Sequence, residues 1–276
     1  MHLLRNSKAI IYFEVAGQGA PVLFIQGIGV TGEGWRPQIN ELSKDFQTVI
    51  LDNRGIGKSQ VVSGGVTVAE MATDAFDLMD HLGWESAHLV GHSLGGIVAQ
   101  EMALENSKRV RSLTLMCTFA KGKDGGKFTP WALWMFFRTR VGSRPMRRRA
   151  FLEMLFPKEF LLKVDRDILA EEVGKIVGRD LATTPAVLMK QFKALSSHNR
   201  FQELQNLKGI PTLVLSGAHD LIARPESGRA LAAAIPGAKY VEFADASHGL
   251  PIHLVEKVNG TLREWLNSRI GEPGVN

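Results

Sequence analysis

The chain has 276 residues, of which 45% are hydrophobic and 22% charged, and its formal net charge is +5. These values are ordinary for a soluble globular protein and allow one large α/β domain or a domain with an insertion. The single cysteine, Cys117, excludes an intramolecular disulfide framework and indicates a reducing compartment. Because Cys117 lies in an apolar stretch, we expect a buried, unreactive thiol rather than a nucleophile.

The positive charge belongs to one segment. Residues 121–149 contain nine lysines and arginines against one aspartate, so the rest of the chain is slightly acidic and no nucleic-acid binding is expected. The first eight residues lack the apolar core of a signal peptide. The longest apolar run, residues 131–137, is far shorter than a membrane span. We therefore expect a cytoplasmic protein without stable membrane insertion.

The predicted elements alternate between strands and helices. Thr67 and Glu70 form the pattern of a capping box, which opens a helix that ends at Gly83. An apolar stretch at 87–90 is predicted to be a strand, and the residues after Ser93 follow a helical pattern. The other strands are predicted at 10–15, 22–25, 48–51, 112–116, 212–215 and 240–243, and the other helices at about 35–42, at 225–235 and up to about residue 269.

This alternation predicts a doubly wound, mostly parallel sheet. It lapses for about ninety residues after Cys117. We therefore predict an α/β core formed by residues 1–120 and 206–276, and a mostly helical cap inserted at residues 121–205.

Ser93 is the candidate nucleophile. The sequence Gly-His-Ser-Leu-Gly at residues 91–95 separates the predicted strand from the helix, which is the context of a nucleophile elbow. Such a turn strains the serine backbone so that the hydroxyl stands clear of the sheet, and it needs glycines where a Cβ would collide with a neighbour. The start of the helix also presents free N–H groups and a positive dipole end to an oxyanion.

A serine hydroxyl needs a histidine as its base and a carboxylate to orient that histidine. Asp220 follows the strand at 212–215, and His248 follows the strand at 240–243, which is the chain order expected for this fold class. Asp245 is a rival carboxylate, although its place three residues before His248 makes the geometry awkward. His92 is interpreted as structural. The eight histidines show no metal-ligand spacing, so no metal site is expected.

The tetrahedral oxyanion needs two N–H donors. We expect one from the backbone of Leu94, directly after the nucleophile. The other is expected from the loop after the strand at 22–25, with Ile28 as the donor. The alternative is that Gly27 and Gly29, on either side of Ile28, serve only to form a turn.

The chain resembles the α/β-hydrolase superfamily over nearly its whole length. The motifs that carry the resemblance are residues 27–29, 52–59 (Asp-Asn-Arg-Gly-Ile-Gly-Lys-Ser), 91–96, 217–220 (Gly-Ala-His-Asp) and 247–249 (Ser-His-Gly). The resemblance implies an eight-stranded sheet, a triad of Ser93, Asp220 and His248, and a lid after the sixth strand. One departure is Gln26 before Gly27, where many members have histidine. A serine nucleophile argues against the haloalkane dehalogenases and epoxide hydrolases of the superfamily, which use aspartate.

The cap contains an aromatic run that suggests a substrate pocket. A Thr-Pro pair at 129–130 is typical of a helix start, and the residues that follow are too apolar for a helix with one face in water. We expect Trp131, Trp134 and Phe137 to line an apolar acyl pocket, the alternative being that the run only packs onto the sheet domain. The arginines after it are expected to be solvated, with an anionic membrane surface or an acidic substrate left open.

These residues together predict a cofactor-free serine hydrolase acting on carboxylic esters with small to medium apolar groups. Hydrolysis of a lactone, thioester, amide or carbon–carbon bond by the same three residues is an alternative. A small-ligand receptor on a hydrolase scaffold is an alternative from another class, because a fold alone does not settle function. The expected partner is a small ester-like molecule, and a homodimer is left open.

Overall fold

The computed structural model describes residues 2–125 and 129–269. Within these residues nine strands form a single sheet. The strands are β1 (His2–Arg5), β2 (Ala9–Ala16), β3 (Ala20–Ile25), β4 (Phe46–Leu51), β5 (Gln60–Val61), β6 (Ala87–His92), β7 (Val110–Met116), β8 (Thr212–Gly217) and β9 (Lys239–Phe243).

The sheet has the strand order β1-β2-β4-β3-β6-β7-β8-β9, with β5 paired to β2. Strands β3, β4 and β6 to β9 are parallel to their neighbours in this group, whereas β1, β2 and β5 pair antiparallel. The predicted doubly wound, mostly parallel sheet is confirmed. Its path contains the expected eight strands, and the two-residue β5 makes a ninth. The exposed strand β1 was not among the predicted elements.

The helices occupy the connections between the strands. Those formed by the described residues are α1 (Arg36–Leu42), α2 (Val68–His81), α3 (Leu94–Glu105), α4 (Gly122–Gly125), α5 (Pro130–Arg138), α6 (Arg144–Leu155), α7 (Lys158–Leu161), α8 (Arg166–Val177), α9 (Leu188–Ser197), α10 (Pro225–Ala234), α11 (Leu250–His253) and α12 (Val255–Asn267). Short 3₁₀ helices lie at Gly32–Trp35, Ser107–Arg109 and Phe201–Leu207. In the part of the chain that the structure covers, no helix combines the length and the apolar composition needed to cross a membrane.

The core lies around the central parallel strands. All six residues of β6 are buried, as expected for a strand covered by helices on both faces. Helix α3, which follows it, buries ten of its residues. Helix α2 begins at the predicted cap, where Thr67 Oγ1 accepts a hydrogen bond from the Glu70 N–H at 3.1 Å. The Glu70 carboxylate accepts from the N–H of Gly65. In the usual capping box it would accept from the N–H of the N-cap residue, Thr67, which lies two residues later.

Helices α4 to α9 lie between β7 and β8, in the segment predicted as a cap. Part of this insertion has an apolar cluster of its own, contributed by α6, α7 and α8 and the residues beside them. The buried members of that cluster are Leu152, Phe156, Leu161, Ala170, Val173, Val177 and Leu181. Helix α9 differs, because its buried Ala194 and Leu195 belong to the main core. The insertion therefore combines a small core of its own with a helix that packs into the main core.

Candidate active site

Ser93 lies at the turn between β6 and α3 with a strained backbone. Its φ is 54° and its ψ −118°, a region that non-glycine residues rarely adopt and that costs about 1–3 kcal/mol. The neighbouring glycines are required by close backbone contacts. A Cβ on Gly91 would lie 2.4 Å from the carbonyl oxygen of Gly95, and a Cβ on Gly95 would lie 2.0 Å from that of Ile25. The local geometry is therefore that of the predicted elbow.

Asp220 and His248 meet at the carboxyl ends of β8 and β9. The Nδ1–H of His248 donates to Oδ2 of Asp220 at 2.8 Å. The other carboxylate oxygen of Asp220 accepts from the N–H groups of Ile222 and Ala223, each at 2.8 Å. Asp245, the rival carboxylate, has a side chain that is 79% exposed and lies 4.0 Å from the Lys257 ammonium. The histidine is therefore oriented by Asp220, which is itself held by its own loop.

His92 connects the elbow to the loop that carries His248. The two rings lie 4.8 Å apart between centroids, and His92 Nε2 donates to the carbonyl oxygen of His248 at 2.9 Å. Burial, with a further contribution from His248, lowers the pKa of His92 to about 3. The ring is consequently neutral near pH 7, which suits a donor that braces the loop. This position agrees with its interpretation as a structural histidine.

Ser93 and His248 are both nearly buried, with residue exposures of 6% and 7%. Among the described residues, Ser93 Oγ makes no hydrogen bond, and neither does Nε2 of His248. Catalytic hydrogen bonds are often long or poorly aligned in a free enzyme and tighten when substrate binds. Ser93 follows His92, which contacts His248 directly. The hydrogen bond between Ser93 Oγ and His248 Nε2 that the predicted triad requires is not formed in this structure.

The loop after β3 leaves one amide available. The N–H of Gly27 donates to the side-chain oxygen of Gln26 at 2.8 Å, and the N–H of Gly29 donates to that of Gln191 at 2.9 Å. The N–H of Ile28, between them, has no acceptor among the described residues. The same is true of the Leu94 N–H, as expected at the first residue of a helix. These are the two donors that we predicted for an oxyanion.

Gln26 takes the place of the histidine that many superfamily members have. Its side chain holds the Gly27 amide, and its carbonyl oxygen accepts a hydrogen bond from Asn53 Nδ2 at 2.9 Å. Asn53 belongs to the motif at 52–59. The expectation that glutamine could still bond to this loop is therefore met.

The rest of the motif at 52–59 forms a buried scaffold behind that loop. Arg54 makes two hydrogen bonds to Asp74 of α2, at 2.7 and 2.8 Å, and both side chains are buried. Asp52 accepts from the N–H groups of Gly32 and Lys58. Burial raises the pKa of Asp52, while those two backbone hydrogen bonds oppose the rise. The motif therefore positions the residues around the site rather than taking part in chemistry.

Two residues of the insertion also hold the loop after β3, and the sequence did not indicate them. Gln191 of α9 accepts from the Gly29 N–H, and Arg179 donates from Nε to the Gly29 carbonyl oxygen at 3.0 Å. They are 162 and 150 residues away from Gly29 along the chain. No local pattern reveals a contact of that separation.

One group of potential metal ligands lies within the described residues. Nitrogen or sulfur atoms of His92, Cys117 and His248 all lie within 4.8 Å of one another. Because Nδ1 of His248 is bonded to Asp220, that ring could offer a metal only its Nε2 atom. Burial raises the pKa of the Cys117 thiol well above its usual range. The thiolate form needed for metal binding or nucleophilic attack is therefore disfavoured, as expected for a buried, unreactive cysteine.

A cavity of about 560 Å³ lies beside these groups, which is the usual size of a small-molecule site. Arg179 and Leu188 contribute to it next to Gly29, and Leu221 and Ile222 contribute to it directly after Asp220. The cavity therefore borders both the loop after β3 and the loop after β8, although Ser93 and His248 are not among its lining residues. Its apolar lining comes chiefly from the insertion and includes Trp131, Met135, Phe136, Phe151, Leu181, Leu188 and Phe192.

The three aromatic residues predicted to bind substrate occupy two different faces of α5. Trp131 lines the cavity. Trp134 and Phe137 lie outside its lining, are 56% and 51% exposed, and stack on each other with ring centroids 6.0 Å apart. Phe136 lines the cavity instead of these two. An apolar run covering the whole helix surface gives no indication of which face meets the cavity.

A parallel sheet that carries such an elbow at the end of its central strand defines a hydrolase of the α/β class. The chain belongs to the family described as the alpha/beta hydrolase fold, whose model matches residues 20–252.

Relatives and solved structures agree on the fold and differ in the activity that they are named for. RutD of Azorhizobium caulinodans, provisionally named a carbamate hydrolase, is 31% identical over 90% of this chain and 91% of its own. A thermophilic esterase from Thermogutta terrifontis, solved with malate bound, superposes with a TM-score of 0.80 at 27% identity, covering 98% of this chain and 99% of that one. An enol-lactonase from Burkholderia xenovorans has a TM-score of 0.78 at 27% identity, covering 94% and 97%.

Proposed function

We propose that this protein is a serine hydrolase that cleaves carboxylic esters with small to medium apolar groups through an acyl-enzyme. The observation that carries the proposal is the hydrogen bond from His248 to Asp220 beside the strained turn of Ser93. That arrangement supplies a base with a fixed orientation next to a hydroxyl held clear of the sheet.

In the proposed reaction, Ser93 Oγ attacks the ester carbonyl carbon while His248 Nε2 takes the hydroxyl proton. Asp220 holds the imidazole through Nδ1 and stabilises the positive charge that forms on it. The N–H groups of Ile28 and Leu94 stabilise the oxyanion of the tetrahedral intermediate. Collapse of that intermediate breaks the bond to the alcohol, which leaves with the proton from His248. Water, activated by the same histidine, then releases the acid from Ser93.

The apolar side chains of the cavity support an apolar acyl or alcohol group. Trp131 and Phe136 of α5 and Phe151 of α6 supply aromatic surface to it. We propose that the chain of the substrate lies in this cavity while its carbonyl reaches past Gly29 to Ser93. The proposal includes a cytoplasmic location, which is supported by the cysteine usage of the chain.

Carbamate hydrolysis is the second candidate, because the name of the RutD relative assigns that activity to a protein that matches over 90% of this chain. A carbamate carbonyl passes through the same kind of oxyanion as an ester carbonyl. The two substrates are therefore distinguished by the fit of the group bound to the carbonyl. Lactones are included in the same substrate test, because the structural neighbour from Burkholderia is named an enol-lactonase.

The test is the substitution Ser93→Ala with a panel of 4-nitrophenyl esters of graded chain length, phenyl carbamates and lactones. We expect kcat on the best substrate to fall about 10⁴- to 10⁶-fold, since the nucleophile is removed without loss of buried packing. A fluorophosphonate should label the unmodified protein on Ser93 and leave the variant unlabelled. Circular dichroism checks that the variant is folded.

The matched control is Ser63→Ala, at an exposed serine in the turn after β5. Its activity should equal that of the unmodified protein. Undiminished ester turnover in Ser93→Ala would contradict the mechanism. Tight ligand binding without turnover of any ester, carbamate or lactone would support the receptor alternative instead.

A further inference from the structure

Three arginines line the cavity without a carboxylate partner among the described residues, namely Arg140, Arg179 and Arg224. Two acidic residues line it as well. Glu226 is paired with Arg229 at 2.8 Å, and Asp124 has an interaction of its own. The cavity is therefore mainly apolar, and the described carboxylates that line it do not pair with its three arginines.

Arg179 is the arginine nearest the candidate oxyanion site. Its Nε donates to the Gly29 carbonyl oxygen, and its Nη1 donates to the carbonyl oxygens of Asp180 at 3.2 Å and Thr183 at 2.6 Å. Nη2 has no acceptor in the part of the chain that is described. It lies 3.7 Å from the position that a Cβ on Gly29 would take. Two N–H bonds of a fixed guanidinium are thus left for a ligand beside the loop that contains Ile28.

The environment of Arg179 makes a bound anion favourable. Its guanidinium carbon lies 5.1 Å from the centre of the Phe151 ring, and burial lowers the pKa of the side chain. The neighbouring Asp180 carboxylate is already bonded to Arg144 and Arg148, at 2.6 and 2.8 Å. A partly buried guanidinium whose neighbouring carboxylate is bonded to other arginines gains more from a bound carboxylate than a fully solvated one does. A hydrogen bond from its free Nη2 to a carboxylate oxygen is charge-assisted and therefore stronger than one to a neutral acceptor.

We propose that the cavity is a subsite for a carboxylate, and that the natural substrate is an ester or lactone bearing a second, free carboxylate that binds Arg179. This inference rests on the proposed function for its reactive bond and adds the class of substrate. The apolar walls then contact the carbon chain between the two functional groups. A neutral ester of the same length would fill the cavity but leave Nη2 of Arg179 unpaired.

The experiment compares matched pairs of substrates. Each pair consists of the 4-nitrophenyl half ester of a dicarboxylic acid with six to eight carbons and the same molecule with its free carboxylate capped as a methyl ester. The measured quantity is the ratio of kcat/KM for the acid to kcat/KM for its capped partner. A charge-assisted hydrogen bond of this kind gives an expected ratio of about 10 to 100 for the best chain length.

Two variants separate charge recognition from support of the loop. Arg179→Met removes the guanidinium together with one hydrogen bond to Gly29, and we expect the ratio to fall to about 1. Gln191→Leu removes the other hydrogen bond to Gly29 and leaves Arg179 in place. We expect it to lower kcat/KM for both members of a pair while keeping their ratio. Arg179→Lys should restore part of the ratio, because it restores a positive charge without the planar fork.

A second arm needs no turnover. Monomethyl suberate and dimethyl suberate are titrated calorimetrically into Ser93→Ala and into the double variant with Arg179→Met. Preferential binding of the monoacid that depends on Arg179 supports the subsite even if no ester is cleaved, in which case only the proposed function fails. A ratio near 1 in the unmodified protein at every chain length, or a preference that survives Arg179→Met, overturns the inference while ester hydrolysis stands.

Discussion

The hydrogen bond between His248 and Asp220 determines which ring nitrogen carries a proton. With Nδ1–H directed to the carboxylate, Nε2 is the ring nitrogen without a proton, and it is the atom that accepts the Ser93 proton in the proposed mechanism. The two backbone amides on the other carboxylate oxygen keep the aspartate from turning away. At the scale of single residues, orientation is therefore supplied by the loop after β8.

Replacement of that aspartate should reveal its role. Asp220→Asn keeps the shape of the side chain but can present an N–H to the ring, which favours the wrong tautomer. We expect kcat for the best ester to fall about 10⁴-fold, by analogy with the same change in other serine hydrolases. Steady-state kinetics at pH 7 measure the effect.

Asp245→Asn is the matched control for this prediction. It makes the same chemical change at the exposed carboxylate three residues before His248, so kcat should stay within about twofold, as for most surface substitutions. Equal losses in the two variants, or a larger loss in Asp245→Asn, would show that His248 is oriented otherwise during turnover.

At the scale of elements, helix α2 depends on its first turn. Thr67 accepts from the Glu70 amide, and Glu70 extends the cap to Gly65. The helix matters to the site because its Asp74 holds the buried Arg54 of the motif at 52–59. The start of this helix therefore supports the motif at 52–59, which in turn holds the loop after β3 through Asn53.

We expect Thr67→Ala to lower the free energy of unfolding by about 1 kcal/mol, because the Glu70 amide loses its side-chain acceptor. Denaturation in urea measures this change. Thr73→Ala, in the same helix, is the control. Its hydroxyl bonds only to the Ala69 carbonyl oxygen within the helix, so the change to a better helix former should leave stability equal or slightly higher. A smaller loss at Thr67 than at Thr73 would contradict the cap.

The positions of most strands could be predicted because buried parallel strands are continuous apolar runs between turn residues. The exposed strand β1 and the two-residue β5 carry no such signal, since neither buries a regular face. Three residues of the site could be predicted because they follow strand ends and have the residue types of a nucleophile, a carboxylate and a base, namely Ser93, Asp220 and His248. Arg179 and Gln191 could not be found in this way, because the residue that they contact, Gly29, lies about 150 residues or more away along the chain.

At the scale of the whole molecule, stability should depend on buried neutral histidines. Burial lowers the pKa of His88 and of His198 to about 4, and that of His92 to about 3. An unfolded chain binds protons at these side chains near pH 6.5, before the folded protein does. Their contribution to stability is therefore complete above that pH and is lost as the pH falls toward 4.

His88 allows this linkage to be measured, since its ring is fully buried in β6 and bonded to Ser112 Oγ. Between pH 7 and pH 5 the free energy of unfolding should decrease. In His88→Asn the decrease should be smaller by about 2 kcal/mol. Ser112→Ala is the control, because it removes the partner of the ring but keeps the titrating group, so the decrease should persist. An identical pH dependence in His88→Asn and the unmodified protein would contradict the linkage.

Two hydrogen bonds to Gly29 link the insertion to the loop that carries the proposed oxyanion donor Ile28. Asn53, in the segment after β4, holds one end of this loop at Gln26, while Gln191 of α9 and Arg179 hold the other end at Gly29. A movement of the helices between β7 and β8 away from the sheet domain would break the hydrogen bonds of Gln191 and Arg179 to Gly29, next to Ile28. Under the proposed mechanism, a change in these helices that reshapes the cavity also shifts the backbone of the oxyanion donor, so substrate preference and rate are expected to evolve together.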